Sequence, residues 1–100
     1  MSQVATQYAH IVVGEDGVPR IEGTTTKVIE IALDQKVFGW TAEEIYLQHD
    51  YLTLSQIYSA LAYYWDYKEE LDEDIERRRQ YVEQMRQSAA LSLTRSKVYE

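Results

Sequence analysis

Imidazole is the scarcest chemical resource of this chain. His10 and His49 are its two histidines, and neither has a second histidine at i+4 with which to hold a metal ion. His49-Asp50 sets an imidazole beside a carboxylate in a turn-forming stretch, a pairing better suited to a solvated cap than to metal ligation. With no cysteine, disulfides, thiolate catalysis and thiolate metal sites are excluded together. Six carboxylates crowd residues 69–76, but on a solvated helical stretch with no apolar pocket to shift a pKa toward acid–base work. Gly14-Glu15-Asp16-Gly17 lacks the lysine and hydroxyl of a phosphate-binding loop and carries two negative charges, so it reads as a turn. The expectation is a non-enzymatic protein that needs no metal and no cofactor.

Nucleic-acid recognition is the other chemistry to weigh. Ser55, Gln56, Ser59 and Tyr63 fall on the outer face of a helix predicted from Leu54, and such side chains can hydrogen-bond base edges. Base reading, however, rests on phosphate contacts that supply most of the affinity. The chain has a formal charge of −7, and no Lys or Arg occurs between Lys36 and Lys68. Arg77, Arg78 and Arg79 are the nearest cation cluster, and the acids just before them are their expected partners. DNA binding by this chain alone is therefore expected to be weak.

These residues need elements to carry them. His10-Ile11-Val12-Val13 and Val18-Pro19-Arg20-Ile21 flank an Asp-Gly turn, the pattern of a β-hairpin. Pro19 lacks an N–H and places its strand at an edge. Gly23 breaks the chain, and Thr24, Thr25 and Thr26 offer caps for a helix over Lys27–Phe38 that Gly39 would end. WTAEEI at 40–45 and LTLSQI at 52–57 then share one grammar. Thr41 with Glu44, and Thr53 with Gln56, are capping boxes, with Trp40–Ile45 and Leu52–Ile57 as hydrophobic staples. They predict a short helix at about 42–48, a turn at His49-Asp50-Tyr51, and a second helix. After Leu54 there is no Gly or Pro, and apolar residues fall at 54, 57, 61, 64, 71, 75, 82, 85 and 89. This register of threes and fours also visits Lys68 and Arg78, so it is an interrupted seam and not a clean coiled coil. A single helix over 54–87 would be about 50 Å long, beyond what its own chain can cover, so a second copy is the simplest partner.

At 100 residues the chain is long enough for one modest core, and its 45% hydrophobic content is that of a soluble protein. No run approaches the length of a membrane span, and the first ten residues have no signal-like pattern, so a cytoplasmic location is expected. Nine tyrosines are more than one small core needs. Tyr64, Trp65, Tyr67, Leu71, Ile75, Val82 and Met85 are accordingly the candidate surface for a partner or dimer, since aromatic and long apolar side chains concentrate at interfaces.

Over roughly residues 10–66 the sequence resembles domain-of-unknown-function family 433, small bacterial proteins that include VapB-like antitoxins. Ile21, Gly23, Thr24 and Val28 match the family's Ile-x-Gly-Thr-Arg segment and the valine after it, with Thr25 in place of the arginine. Gly39, Thr41, Glu43, Glu44 and Ile45 match the next segment. Leu52 and Thr53 follow it, with Asp50 where the family often has proline. Ala60, Leu61, Ala62 and Tyr63 match its Ala-Leu-Ala-Tyr string. The resemblance implies a homeodomain-like three-helix fold. The expected architecture is mainly α: a hairpin within 1–22, a trihelical helix-turn-helix-like core over 23–66, and a long C-terminal helix with its tail over 67–100. The expected function is that of an antitoxin-like interaction module acting as a homodimer, with a toxin protein as possible partner. The alternative is a DNA-binding regulator of helix-turn-helix type.

Overall fold

The computed structural model describes residues 3–98, with side chains described through Leu91. It is mainly helical, with four helices preceded by a small three-stranded antiparallel sheet. The chain divides into two compact units, residues 1–68 and 69–100. No described helix is long and apolar enough to cross a membrane.

The predicted hairpin forms as β2 (Ile11–Val13) and β3 (Pro19–Ile21), in the register Ile11↔Ile21, Val12↔Arg20 and Val13↔Pro19. Its turn closes through the Gly17 N–H on the Gly14 carbonyl at 3.0 Å. Gly17 alone of the turn residues takes the left-handed region, at φ 75°, where a side chain would be strained. The Asp16 carboxylate then accepts from Val18 N–H and, in a fork, from both terminal nitrogens of Arg20 at 3.0 and 3.1 Å. Those contacts hold the Asp16 carboxyl below the usual carboxylate range, the Arg20 hydrogen bond most of all. β3 lies at the sheet edge, as Pro19 requires. A third strand was not expected from the sequence: β1 (Val4–Ala5) pairs with β2 in the order β1-β2-β3. Two exposed residues carry no alternation to recognise.

α1 (Val28–Phe38) ends as predicted, with Gly39 at φ 69° donating to the Gln35 carbonyl. Its start differs. Lys27 holds the N-cap position and none of the three threonines does; the Glu30 carboxylate accepts from the Lys27 N–H at 3.1 Å. Thr24 and Thr26 serve the preceding turn instead. Thr24 Oγ1 donates to the Ile21 carbonyl and accepts from the Thr26 N–H, while buried Thr26 meets the Tyr51 hydroxyl at 2.6 Å.

Both capping boxes are present. α2 (Ala42–Gln48) starts with Glu44 N–H on Thr41 Oγ1 and Thr41 N–H on the Glu44 carboxylate. α3 (Leu54–Asp66) starts with Gln56 N–H on Thr53 Oγ1 and Thr53 N–H on the Gln56 amide oxygen. Each box satisfies two N–H groups that a helix start would orphan. Ile11, Ile21, Val28, Ile31, Ile45, Leu52, Ile57 and Tyr64 are the largest fully buried side chains, so sheet and helices α1–α3 share one core.

The absence of Gly and Pro after Leu54 does not give one helix. α3 stops at Asp66, Tyr67 leaves helical geometry at φ −117° and ψ 34°, and α4 (Lys68–Val98) begins. Tyr63, Tyr64, Trp65 and Tyr67 crowd the break, and bulky rings lose rotamer freedom inside a helix. Tyr67 instead packs against Tyr63, with centroids 4.6 Å apart, and against Tyr8 at 6.3 Å. α4 has 31 residues, roughly 46 Å at 1.5 Å per residue.

Candidate interaction surfaces

The face of α3 expected to meet DNA is largely engaged by its own chain. The Gln56 amide oxygen belongs to the capping box. The loop after β1 supplies the other contacts. Thr6 Oγ1 donates to the Ile11 carbonyl and accepts from the Tyr8 N–H, closing the loop, and His10 takes φ 69° at its end. His10 Nε2 then lies 3.2 Å from Ser55 Oγ. Tyr8 packs edge-on against Tyr63, with centroids 5.1 Å apart, and its hydroxyl donates to the Asp66 carboxylate. That hydrogen bond, ahead of desolvation, pushes the Tyr8 phenol up to about 12. Ser59 is partly exposed on the same helix. Sequence spacing could not place Tyr8 and His10 here, because a separate loop brings them across.

The candidate partner residues separate by burial. Tyr64 is 1% exposed and is the sole buried aromatic among the described residues, so it belongs to the core and not to an interface. Trp65 and Tyr67 are exposed on residues 1–68. Along α4, Leu71 is buried, Ile75 partly so, and Val82 and Met85 are open to solvent together with Tyr81 and Leu91.

The arginines after residue 76 pair along their own helix. Arg77 and Arg78 both reach Asp74, at 3.2 and 3.0 Å, and Arg79 forks onto Glu76 at 2.7 and 3.1 Å. The acids just before the arginines are their partners, Asp74 meeting Arg78 at i,i+4 and Arg77 at i,i+3. Arg79 holds the Glu76 carboxyl below its ordinary range, and Glu76 in turn raises the Arg79 guanidinium. Arg86 continues the pattern on Glu83 at 3.2 Å.

His49 finds a carboxylate on α1, not its neighbour Asp50: Nε2 is 2.7 Å from Asp34 Oδ2, partly buried. This contact ties the α2–α3 turn to α1. Among the described residues no three His, Asp or Glu side chains converge as a metal site would need. The sheet carries an open groove lined by Val12, Glu15, Asp16, Arg20 and Glu22, an acidic surface whose arginine is already forked onto Asp16.

No curated protein and no solved structure matches the chain. Residues 16–64, from the hairpin turn through most of α3, match the model of the family described as "Protein of unknown function (DUF433)".

Proposed function

We propose that the chain is a non-enzymatic protein-interaction module, antitoxin-like, that acts as a homodimer in the cytoplasm and engages a partner protein through α4. The observation that carries this reading is α4 itself. Its Tyr81, Val82, Met85 and Leu91 side chains are exposed, at spacings that crowd one half of the helix surface, and its described arginines are held by its own acids. A helix that is neutralised locally and still displays long apolar side chains is suited to another protein surface. Its charges are also polarised along the sequence: six acids and no base over 69–76, then six bases and one acid over 77–98. Two copies running antiparallel would set acid against base, whereas a parallel pair would stack like charges.

A helix-turn-helix regulator is the second reading. It is favoured by two capped helices, α2 and α3, joined through the short turn from His49 to Thr53. Against it stand the lack of any Lys or Arg between 37 and 67 and the engagement of Ser55, Gln56 and Tyr63 within the chain. Co-expression with the protein encoded next to it tests the first reading, with a stable complex expected and truncation after Asp66 expected to abolish it. Nanomolar, sequence-specific retardation of its own promoter DNA by the isolated chain at physiological salt would reverse the order.

A further inference from the structure

Phe38, Trp40, Tyr58 and Trp65 belong to residues 1–68 and are linked through one ring stack, two hydrogen bonds and short steps along α1, α2 and α3. Gly39 turns the chain at the end of α1 so that Phe38 and Trp40 stack, with centroids 4.4 Å apart and planes 20° apart. Three residues after Trp40, in the first turn of α2, the Glu43 carboxylate accepts from the Tyr58 hydroxyl at 2.8 Å. Tyr58 and Trp65 are two turns apart on one face of α3, with exposed Ala62 between them. Trp65 Nε1 donates to Gln35 Oε1 at 3.2 Å, and Gln35 precedes Phe38 by one turn of α1. Three helices thus fix four rings in one patch. Three of the rings remain open to solvent, Phe38 at 59%, Trp65 at 57% and Tyr58 at 51%, and Trp40 is half-buried.

Charge identifies what such a patch suits. Residues 35–68, which hold these rings and their partners, contain Glu43, Glu44, Asp50 and Asp66 against Lys36 and Lys68. A cation already samples the rings, since Lys68 Nζ lies 5.9 Å from the Trp65 ring centroid. Aromatic faces in an acidic field attract cations, and guanidinium can stack on a ring while forking onto a carboxylate. Phosphate-bearing ligands would be repelled by the same carboxylates. Among the described residues every arginine of a second copy already has a carboxylate of its own chain, Arg20 on Asp16 and Arg77, Arg78, Arg79 and Arg86 on Asp74, Glu76 and Glu83. That favours a different partner as the source of the cation. We propose that this aromatic patch docks an arginine-bearing, basic segment of a partner protein. The proposal rests on the interaction-module reading and adds a second contact surface to it, on the folded head.

Trp40 and Trp65 are the only tryptophans of the chain, so tryptophan emission reports on this patch alone. The full chain should be titrated with a short blocked Arg-Ala repeat peptide, with the Lys-Ala repeat of equal length, and with a Glu-Ala repeat. The arginine peptide should shift the emission saturably and bind more tightly than the lysine peptide, and the glutamate peptide should have no effect. By calorimetry, Trp65→Ala should weaken the arginine peptide about tenfold, the scale of one desolvated cation–π contact. Glu43→Gln, which keeps the rings and removes a charge, should weaken it less. Substituting Glu69, Glu70 and Glu73 of α4 by Gln should leave it unchanged. Unaltered emission, equal binding of the two basic peptides, or loss of binding in the α4 variant would overturn the docking surface. If co-expression still gives a complex that Trp65→Ala does not disturb, this surface fails while the interaction-module reading stands.

Discussion

Residues 1–68 and helix α4 meet the same demand, the covering of apolar surface, in opposite ways. In the first unit a core closes: Ile11 and Ile21 from the hairpin, Val28 and Ile31 from α1, Ile45 from α2, and Ile57 and Tyr64 from α3 are all buried, while Phe38, Leu47, Tyr58 and Trp65 stay at the surface. Its helix starts are closed by reciprocal hydrogen bonds at Thr41 and Thr53. Beyond Ile75, α4 carries same-helix ion pairs and the Gln80–Glu76 and Gln87–Glu83 hydrogen bonds, and its Tyr81, Val82, Met85 and Leu91 side chains stay exposed. Burial removes area from water at roughly 25 cal/mol per Å², whereas each exposed ion pair contributes a few tenths of a kcal/mol. The head carries its own stability through a buried core; the described part of α4 beyond Ile75 has apolar surface but no such core.

The largest break in this comparison should come from the core. Ile57→Ala should cost about 2–5 kcal/mol, as cavity-forming substitutions do, whereas Val82→Ala in dilute solution should stay within about 0.5 kcal/mol. Thermal unfolding followed by circular dichroism checks both, and equal losses would deny that the two regions differ. Next come the caps. Thr53→Ala should cost about 1 kcal/mol through the N–H groups it orphans, and an unchanged Tm would contradict the observed helix start.

Tyr8 sharpens the comparison in alkali. Its hydroxyl donates to Asp66, and its folded pKa of about 12 lies above the ordinary 10.0. A group raised in the folded state contributes fully below its unfolded pKa. This contribution should therefore hold to about pH 10 and disappear as pH approaches 12. An ultraviolet tyrosinate titration should show late phenols, Tyr8 and also Tyr58, whose hydrogen bond to Glu43 raises it, and Tyr8→Phe should remove one of them. Titration of Tyr8 along with the ordinary phenols would contradict the contact. The smallest effect belongs to α4: Asp74→Asn, which releases both Arg77 and Arg78, should cost only a few tenths of a kcal/mol.

What the sequence made legible was local. Capping boxes, the Asp-Gly hairpin turn and the glycine after α1 are short-range devices with one geometric solution each, and all appear where the spacing put them. The break at Tyr67 was hidden because no helix-breaking residue marks it; the crowded rings of Tyr8, Tyr63 and Tyr67 hold it from across the fold. Strand β1 was too short to show a period. The burial of Tyr64 beside exposed Trp65 depends on helix phase against neighbours that spacing alone does not name. The Asp34–His49 pair and the ring circuit through Gln35 and Glu43 likewise join elements far apart in sequence.

The head folds around its own core, and the proposed role of α4 is docking. Amide hydrogen exchange on the full chain, at low and high protein concentration, tests it most directly. Peptides from residues 11–64 should be equally protected at both concentrations. Peptides from 76–91 should exchange fast when dilute and gain protection as concentration rises or a partner is added. Protection of 76–91 equal to that of the core in a dilute 11.7 kDa monomer would contradict the account.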